Sequence, residues 1–316
     1  STRSTPGTDM WTAGYRPSGC SLEITNPVPI VWMVTTTFTV TANPASVMYG
    51  TSSTLAESGL PGVSTGTVTL TSGGATLCTI TRPATTCTTS VSLDVGSYPI
   101  TATYSGDDTY DGSTASTALT VTQATTAITA GATPPSVPYG TASTLAASGL
   151  ASDATGTVTF TSGGPTLCTA TLPATSCPTS TSLVVGSYPI TATYSGDVNY
   201  AGSTASTALT VTQASTSITA TATPPSVPFG TSSTLAVSGL PAGATGTLDF
   251  STATATLCQV TLPASSCATV TSLPVGSYAI TVTYSGDSNH VGPTAPITPT
   301  VTLAPPTVTA SAPPAP

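Results

Sequence analysis

Leu93-Asp-Val-Gly-Ser-Tyr-Pro-Ile-Thr-Ala-Thr-Tyr-Ser-Gly-Asp107 returns almost unchanged at residues 183–197 and again at 273–287. Within it Tyr98, Ile100, Ala102 and Tyr104 fall on one phase of a two-residue period, the pattern of a strand with one buried face. The rest of the chain follows the same beat. Gly50, Gly140 and Gly230, then Cys78, Cys168 and Cys258, then Tyr104, Tyr194 and Tyr284 all recur at 90-residue steps. Three repeats of that size are each long enough for one two-layer sandwich core.

Outward from the core strand, each repeat reads as a series of short strands. A first strand ends at a proline kink (Asn43-Pro44, Pro134-Pro135, Pro224-Pro225) and an aromatic-Gly turn follows (Tyr49-Gly50, Tyr139-Gly140, Phe229-Gly230). Ser-Gly-Gly turns at 72–74 and 162–164 lead into a cysteine-bearing hairpin, whereas the third repeat has Thr252-Ala253-Thr254 there. The organisation expected is an N-terminal extension over 1–35, repeats over 36–124, 125–214 and 215–303, and a Pro-rich tail over 304–316. Linkers as short as Thr122-Gln123-Ala124-Thr125 leave little freedom, so three sandwiches of about 40 Å each predict a rod.

The spacing Leu93-x-x-Gly96-x-Tyr98-x-Ile100 resembles the entry to the sixth strand of immunoglobulin-like domains, where a tyrosine corner pins the turn. Ile100 holds the position of that family's cysteine. The Tyr-Ser-Gly-Asp end resembles the signature of bacterial immunoglobulin-like repeat domains, over about 38–303. The resemblance implies an all-β fold of three tandem sandwiches in a surface or secreted protein, and no particular activity.

Charged residues make up 4 % of the chain, with three Lys+Arg in total and a net charge of −8. Nucleic acid is excluded as a partner, since it needs phosphate-neutralising cations. No lysine is present, so isopeptide cross-links are excluded too. The longest apolar run, 28–34, falls far short of the roughly 18–20 residues of a membrane span. The chain starts at Ser1, which fits a leader already removed. Seven cysteines indicate an oxidising, extracellular or cell-surface location.

Cys78 and Cys87, Cys168 and Cys177, and Cys258 and Cys267 are each nine apart about a Pro-Ala-Thr or Pro-Ala-Ser turn. A hairpin would set them opposite one another, within disulfide reach. The resembled family usually has small residues at these positions, so the bridges read as a local addition. Cys20 is odd by count: a free thiol, an intermolecular bridge, or a partner to something outside this sequence. Asp107, Asp108 and Asp111 could invite Ca²⁺, but the later repeats keep only Asp197 with Asn199 and Asp287 with Asn289. That loss favours an aspartate ordering its own turn. The inventory offers no catalytic set, cofactor site or metal site, and the one histidine, His290, replaces Tyr110 and Tyr200. No Asn-x-Ser/Thr acceptor occurs, while the many threonines are open to O-linked sugar.

Two segments lie outside the repeats. Leu22, Ile24, Val28, Ile30, Trp32 and Val34 form an amphipathic strand with no sheet of its own, and Val308, Ala310 and Ala312 sit in a tail resembling the first strand of a further repeat. Unpaired strands are normally avoided. The expected function is therefore a structural subunit of a bacterial fibre, a homopolymer joined head to tail through these strands. The alternative is a stalk or adhesin binding carbohydrate or a cell. Such an adhesin should show exposed aromatics clustered on one loop face, and the recurring tyrosines are expected instead in the core.

Overall fold

In the computed structural model, residues 7–9 and 30–307 are described, and every regular element among them is a strand. Cys20, Leu22, Ile24, Val28, Val308, Ala310 and Ala312 lie outside the described residues. Gly7–Asp9 (β1) pairs antiparallel with Ile30–Trp32 (β2), so the segment expected to have no sheet of its own finds a partner strand within the chain over Ile30–Trp32.

The first repeat contains β3 (Thr39–Asn43), β4 (Ser46–Met48), β5 (Thr54–Ser58), β6 (Thr67–Ser72), β7 (Ala75–Thr81), β8 (Thr86–Thr88), β9 (Gly96–Tyr104) and β10 (Ser113–Thr122). They form a three-stranded sheet, β3-β5-β8, packed on a five-stranded sheet, β4-β10-β9-β6-β7. Alternation decides what faces inward. Ile100, Ala102 and Tyr104 of β9 and Leu119 and Val121 of β10 are buried, while Thr101, Thr103, Thr120 and Thr122 between them face water. Threonine is β-branched, so the solvent face is also built from strand formers. Burying each large aliphatic side chain of this core contributes about 1.5–3 kcal/mol.

The first strand changes sheets at Pro44. A proline cannot donate to a ladder, so β3 ends on the three-stranded sheet and the chain resumes as β4, parallel to β10 in the other. Thr129–Thr133, Thr144–Ser148 and Ser176–Pro178 make the same three-stranded sheet in the second repeat, and five strands repeat the other order.

The third repeat departs from this pattern at its closing strand. Pro293, Pro296 and Pro299 stand where the earlier repeats have Ser113, Ser116 and Leu119. The strand breaks into Thr294–Ile297 and Thr300–Thr302, its neighbour breaks into Gly276–Ser277 and Ile280–Tyr284, and the sheet separates into a three- and a four-stranded part. Apart from the β1–β2 pair, three tandem immunoglobulin-like sandwiches account for the described strands. Packing groups them differently: one compact unit holds Ser1–Ala127 with Leu150–Gly156 and Ser195–Ser203, and the other holds Ile128–Gly149, Thr157–Tyr194 and Thr204–Pro316.

Candidate functional site: the aspartate turn and what docks on it

Asp107 orders the turn that closes the Tyr-Ser-Gly-Asp stretch. Its Oδ1 accepts the backbone N–H of Thr109 (2.8 Å) and of Tyr110 (2.8 Å), and its Oδ2 accepts Thr65 N–H (2.7 Å) and the Tyr104 hydroxyl (3.0 Å). The N–H of Thr65 is the largest cause holding this carboxyl down to about 2, against burial, which pushes it up. Gly106 has φ 73°, and a Cβ there would stand 2.8 Å from Gly112 N and 2.9 Å from Tyr110 O. Only glycine fits. With both oxygens so engaged, the aspartate orders its own turn. Among the described residues no three His, Cys, Asp or Glu side chains gather as a metal site.

The turn recurs at Asp197, which accepts Asn199 N–H (2.9 Å) and Tyr200 N–H (2.8 Å), and at Asp287, which accepts Asn289 N–H and His290 N–H (both 2.8 Å). His290 is more than a loop substitution. It is buried, its Nδ1 lies 2.9 Å from Asp287 Oδ1, and its ring meets Tyr139 edge-on at 5.4 Å. Burial pushes the Asp287 carboxyl up, but the N–H groups of Thr245 and Asn289, with His290 and Tyr284, outweigh it and hold it well below the usual range.

Each turn receives the residue that leads into its own repeat. Val34 bridges Tyr110, Ala124 bridges Tyr200 and Ala214 bridges His290, all parallel. Each bridge has the same two hydrogen bonds: Val34 N–H to Thr109 O and Asp111 N–H to Val34 O, Ala124 N–H to Asn199 O and Ala201 N–H to Ala124 O, all at 2.9 Å. In the third, Ala214 N–H reaches Asn289 O at 2.8 Å and Val291 N–H reaches Ala214 O at 2.9 Å. Gln123 and Gln213 add a side-chain bond to Asp197 O (2.6 Å) and Asp287 O (2.7 Å).

Side chains complete the joint. Within the first unit, Asn199 Oδ1 accepts Val95 N–H (3.1 Å), its Nδ2 donates to Asp94 (3.1 Å), and the Tyr49 hydroxyl donates to Asp153 (3.1 Å). Tyr49 and Tyr200 meet edge-on at 5.4 Å, and the Tyr200 hydroxyl donates to Asp153 at 2.7 Å. That bond, with burial, pushes the Tyr200 phenol up to about 12. Within the second unit, Asn289 Oδ1 accepts Val185 N–H at 3.2 Å. The recurring tyrosines are expected in the core; Tyr49 is half-buried against the core of the first repeat and at the same time meets Tyr200 edge-on. The sequence names Asn199 and Asn289 only as replacements in an aspartate loop, and does not show that they bind across the joint. They are two of only four asparagines in the chain, and both fall at the same repeat position, which is the signal that could have found this role.

The tyrosine corner is present three times: Tyr98, Tyr188 and Tyr278 donate to the carbonyls of Asp94 (2.8 Å), Val184 (2.9 Å) and Pro274 (2.7 Å). Disulfides join Cys78 to Cys87, Cys168 to Cys177 and Cys258 to Cys267, with Cα–Cα distances of 6.1, 6.1 and 6.6 Å. The expected hairpin geometry differs from what forms. β7 is the edge of the five-stranded sheet and β8 the edge of the three-stranded one, so the bridge ties the two layers together. No helix among the described residues is long and apolar enough to cross a membrane.

The sequence pattern of the bacterial Ig-like domain (group 3) matches residues 40–122, 128–212 and 220–302. No curated protein matches the chain. Among solved structures, it is similar to a Ca²⁺-stabilised adhesin of an Antarctic bacterium that binds ice, at 18 % identity, with 89 % of this chain and 80 % of that one covered and a TM-score of 0.31. It is also similar to the SGBP-B protein of the Bacteroides ovatus mixed-linkage glucan utilisation locus, in complex with a heptasaccharide, at 15 % identity, 96 % and 71 % coverage and a TM-score of 0.22. The fibronectin(III)-like modules of Clostridium thermocellum CbhA match at 14 % identity, 54 % and 94 % coverage and a TM-score of 0.24.

Proposed function

Because this chain belongs to the bacterial Ig-like domain family, group 3, over most of its length, we propose that it is a non-catalytic structural subunit of an extracellular bacterial fibre. Copies join head to tail through the terminal segments, Leu22–Val34 of one and 304–316 of the next, with Cys20 placed to lock the joint covalently. The observation that carries this reading is Val34. It belongs to no repeat, yet it docks on the Asp107 turn as the linkers Ala124 and Ala214 dock on theirs. The chain therefore docks a lead-in segment on an aspartate turn three times, a contact that supports joining by the same means. Negative-stain microscopy of the purified protein tests the proposal, with filaments expected. Isolated particles at all concentrations would overturn it.

A second reading, a stalk or adhesin that binds carbohydrate, is favoured by one feature. Tyr49 and Tyr200 form an edge-to-face pair beside the Asp153 carboxylate, an arrangement of apolar faces and acceptors that suits a sugar. A glycan array probed with the wild type and with Tyr49→Ala separates the two readings, since only an adhesin gives spots that the substitution removes.

A further inference from the structure

The third repeat is weakest at the strand that closes its sandwich. In the first repeat β10 pairs with β9 without interruption, from Ser113 opposite Tyr104 to Val121 opposite Gly96, and Leu119 is fully buried within that run. The second repeat keeps Ser203, Ser206 and a fully buried Leu209 at the same positions. The third has Pro293, Pro296 and Pro299. Its closing strand is held from Thr294 to Ile297 and again at Thr300 and Val301, and Tyr278, Ala279, Thr298 and Pro299 fall in the gap. Tyr278 N–H still reaches Pro299 O at 3.0 Å, but a proline returns no N–H.

Two further losses accompany the break. A cavity opens beside Pro299, lined also by Val227, Leu273, Tyr278, Ile280 and Val301, where the earlier repeats have the longer leucine side chain. Atoms around such a void lose their contacts on one side outright. At the entry to the repeat Ile218 is half-buried, whereas Phe38 and Ile128 are buried at the same position.

Tension along the chain would meet this weakness directly. Each repeat is entered through a first strand whose second half lies parallel to the closing strand: Ser46–Met48 beside Thr120–Thr122, Ser136–Pro138 beside Thr210–Thr212, and Ser226–Pro228 beside Thr300–Thr302. Pulling the two ends of a repeat apart slides these parallel strands past one another, and the closing strand resists as far as its other neighbour holds it. In the first repeat that neighbour is paired along its length. In the third it holds two residues beside the parallel pair and then stops at the gap.

We propose that the third repeat is a release element, which opens under tension before the first two and lengthens the chain while they stay folded. Opening residues 220–302 adds roughly 200 Å. The Cys258–Cys267 disulfide keeps the residues between its cysteines out of that length. The order of opening belongs to this chain by itself; that tension acts on it rests on the fibre or stalk reading.

Single-molecule force spectroscopy on the full chain, held at its two ends, tests the order. Wild type should give one event at lower force than the other two, with an opening rate roughly tenfold or more above theirs at equal force. Pro293→Ser, Pro296→Ser and Pro299→Leu together copy the second repeat and should lift that event to the level of the others. Leu209→Pro should do the reverse and add a second low-force event, so the assignment does not hang on one variant. Amide exchange reads the same order without load: Ile280–Tyr284 should exchange roughly tenfold or more faster than Ile190–Tyr194. Three events of equal force, or a low-force event that the triple substitution leaves in place, would overturn the proposal, and neither result bears on whether copies form filaments.

Discussion

Arg82 and Glu57 show how a single repeat can afford a buried charge. The guanidinium is ion-paired with Glu57, and also donates to Ser64 Oγ (3.1 Å) and Pro61 O (2.9 Å), with both charged side chains almost wholly buried. The second repeat has Ala147 and Leu172 at these positions and the third has Val237 and Leu262. Breaking such a pair leaves an uncompensated charge, whereas replacing both members does not. Arg82→Leu alone should therefore destabilise the first repeat by about 3–5 kcal/mol in urea unfolding, and Arg82→Leu with Glu57→Val should be close to neutral. The aspartate turns make a second prediction. The Asp107 carboxyl is lowered to about 2 when folded, so its contribution is fully present above the ordinary carboxylate value near 4 and is lost as pH falls toward 2. Thermal melts from pH 5 to pH 2 should show that loss, and Asp107→Asn should flatten it. A chelator should leave the midpoint unchanged, because the carboxyl oxygens are already taken by N–H and O–H donors.

At the scale of elements, the cysteine bridges and the prolines act in opposite directions. Each disulfide closes a loop of about ten residues and should contribute roughly 2–3 kcal/mol. Because it joins the edge strands of two sheets, Cys78→Ser with Cys87→Ser should loosen β7 and β8 together, seen as faster amide exchange in both. Non-reducing peptide mapping should recover the three pairs within their own repeats. Pro299 has the reverse effect. It removes an N–H from the closing ladder at the position where Leu119 and Leu209 are fully buried. Pro299→Leu should restore both the side chain and the ladder, slowing amide exchange around Tyr278–Ile280; unchanged exchange would mean that Pro293 and Pro296 set the break.

For the whole molecule, charge is too sparse to drive association. Three Lys+Arg against eleven Asp+Glu leave few ion pairs to form between copies. If apolar contacts between copies carry assembly, filaments should persist in about 1 M NaCl, where the screening length is about 3 Å, and ammonium sulfate should promote them. Dissolution by NaCl, followed by light scattering, would point to charged contacts instead.

The two-residue period of Tyr98 to Tyr104, the 90-residue recurrence and the Gly-Asp turns were legible in the chain because they are local. Alternation alone decides which side chains face inward, and Gly106 and Asp107 act on neighbours within a few residues. Cys78 and Cys87 were legible as partners by spacing, but not the sheets that they tie. Alternation encodes a buried face and carries no record of which strand lies beside it, so only the folded chain decided that β7 and β8 part to different layers. The joint was hidden for the same reason. Tyr49, Asp153 and Asn199 are far apart in sequence, and their meeting depends on how the end of one sandwich presents its loops to the turn of the next.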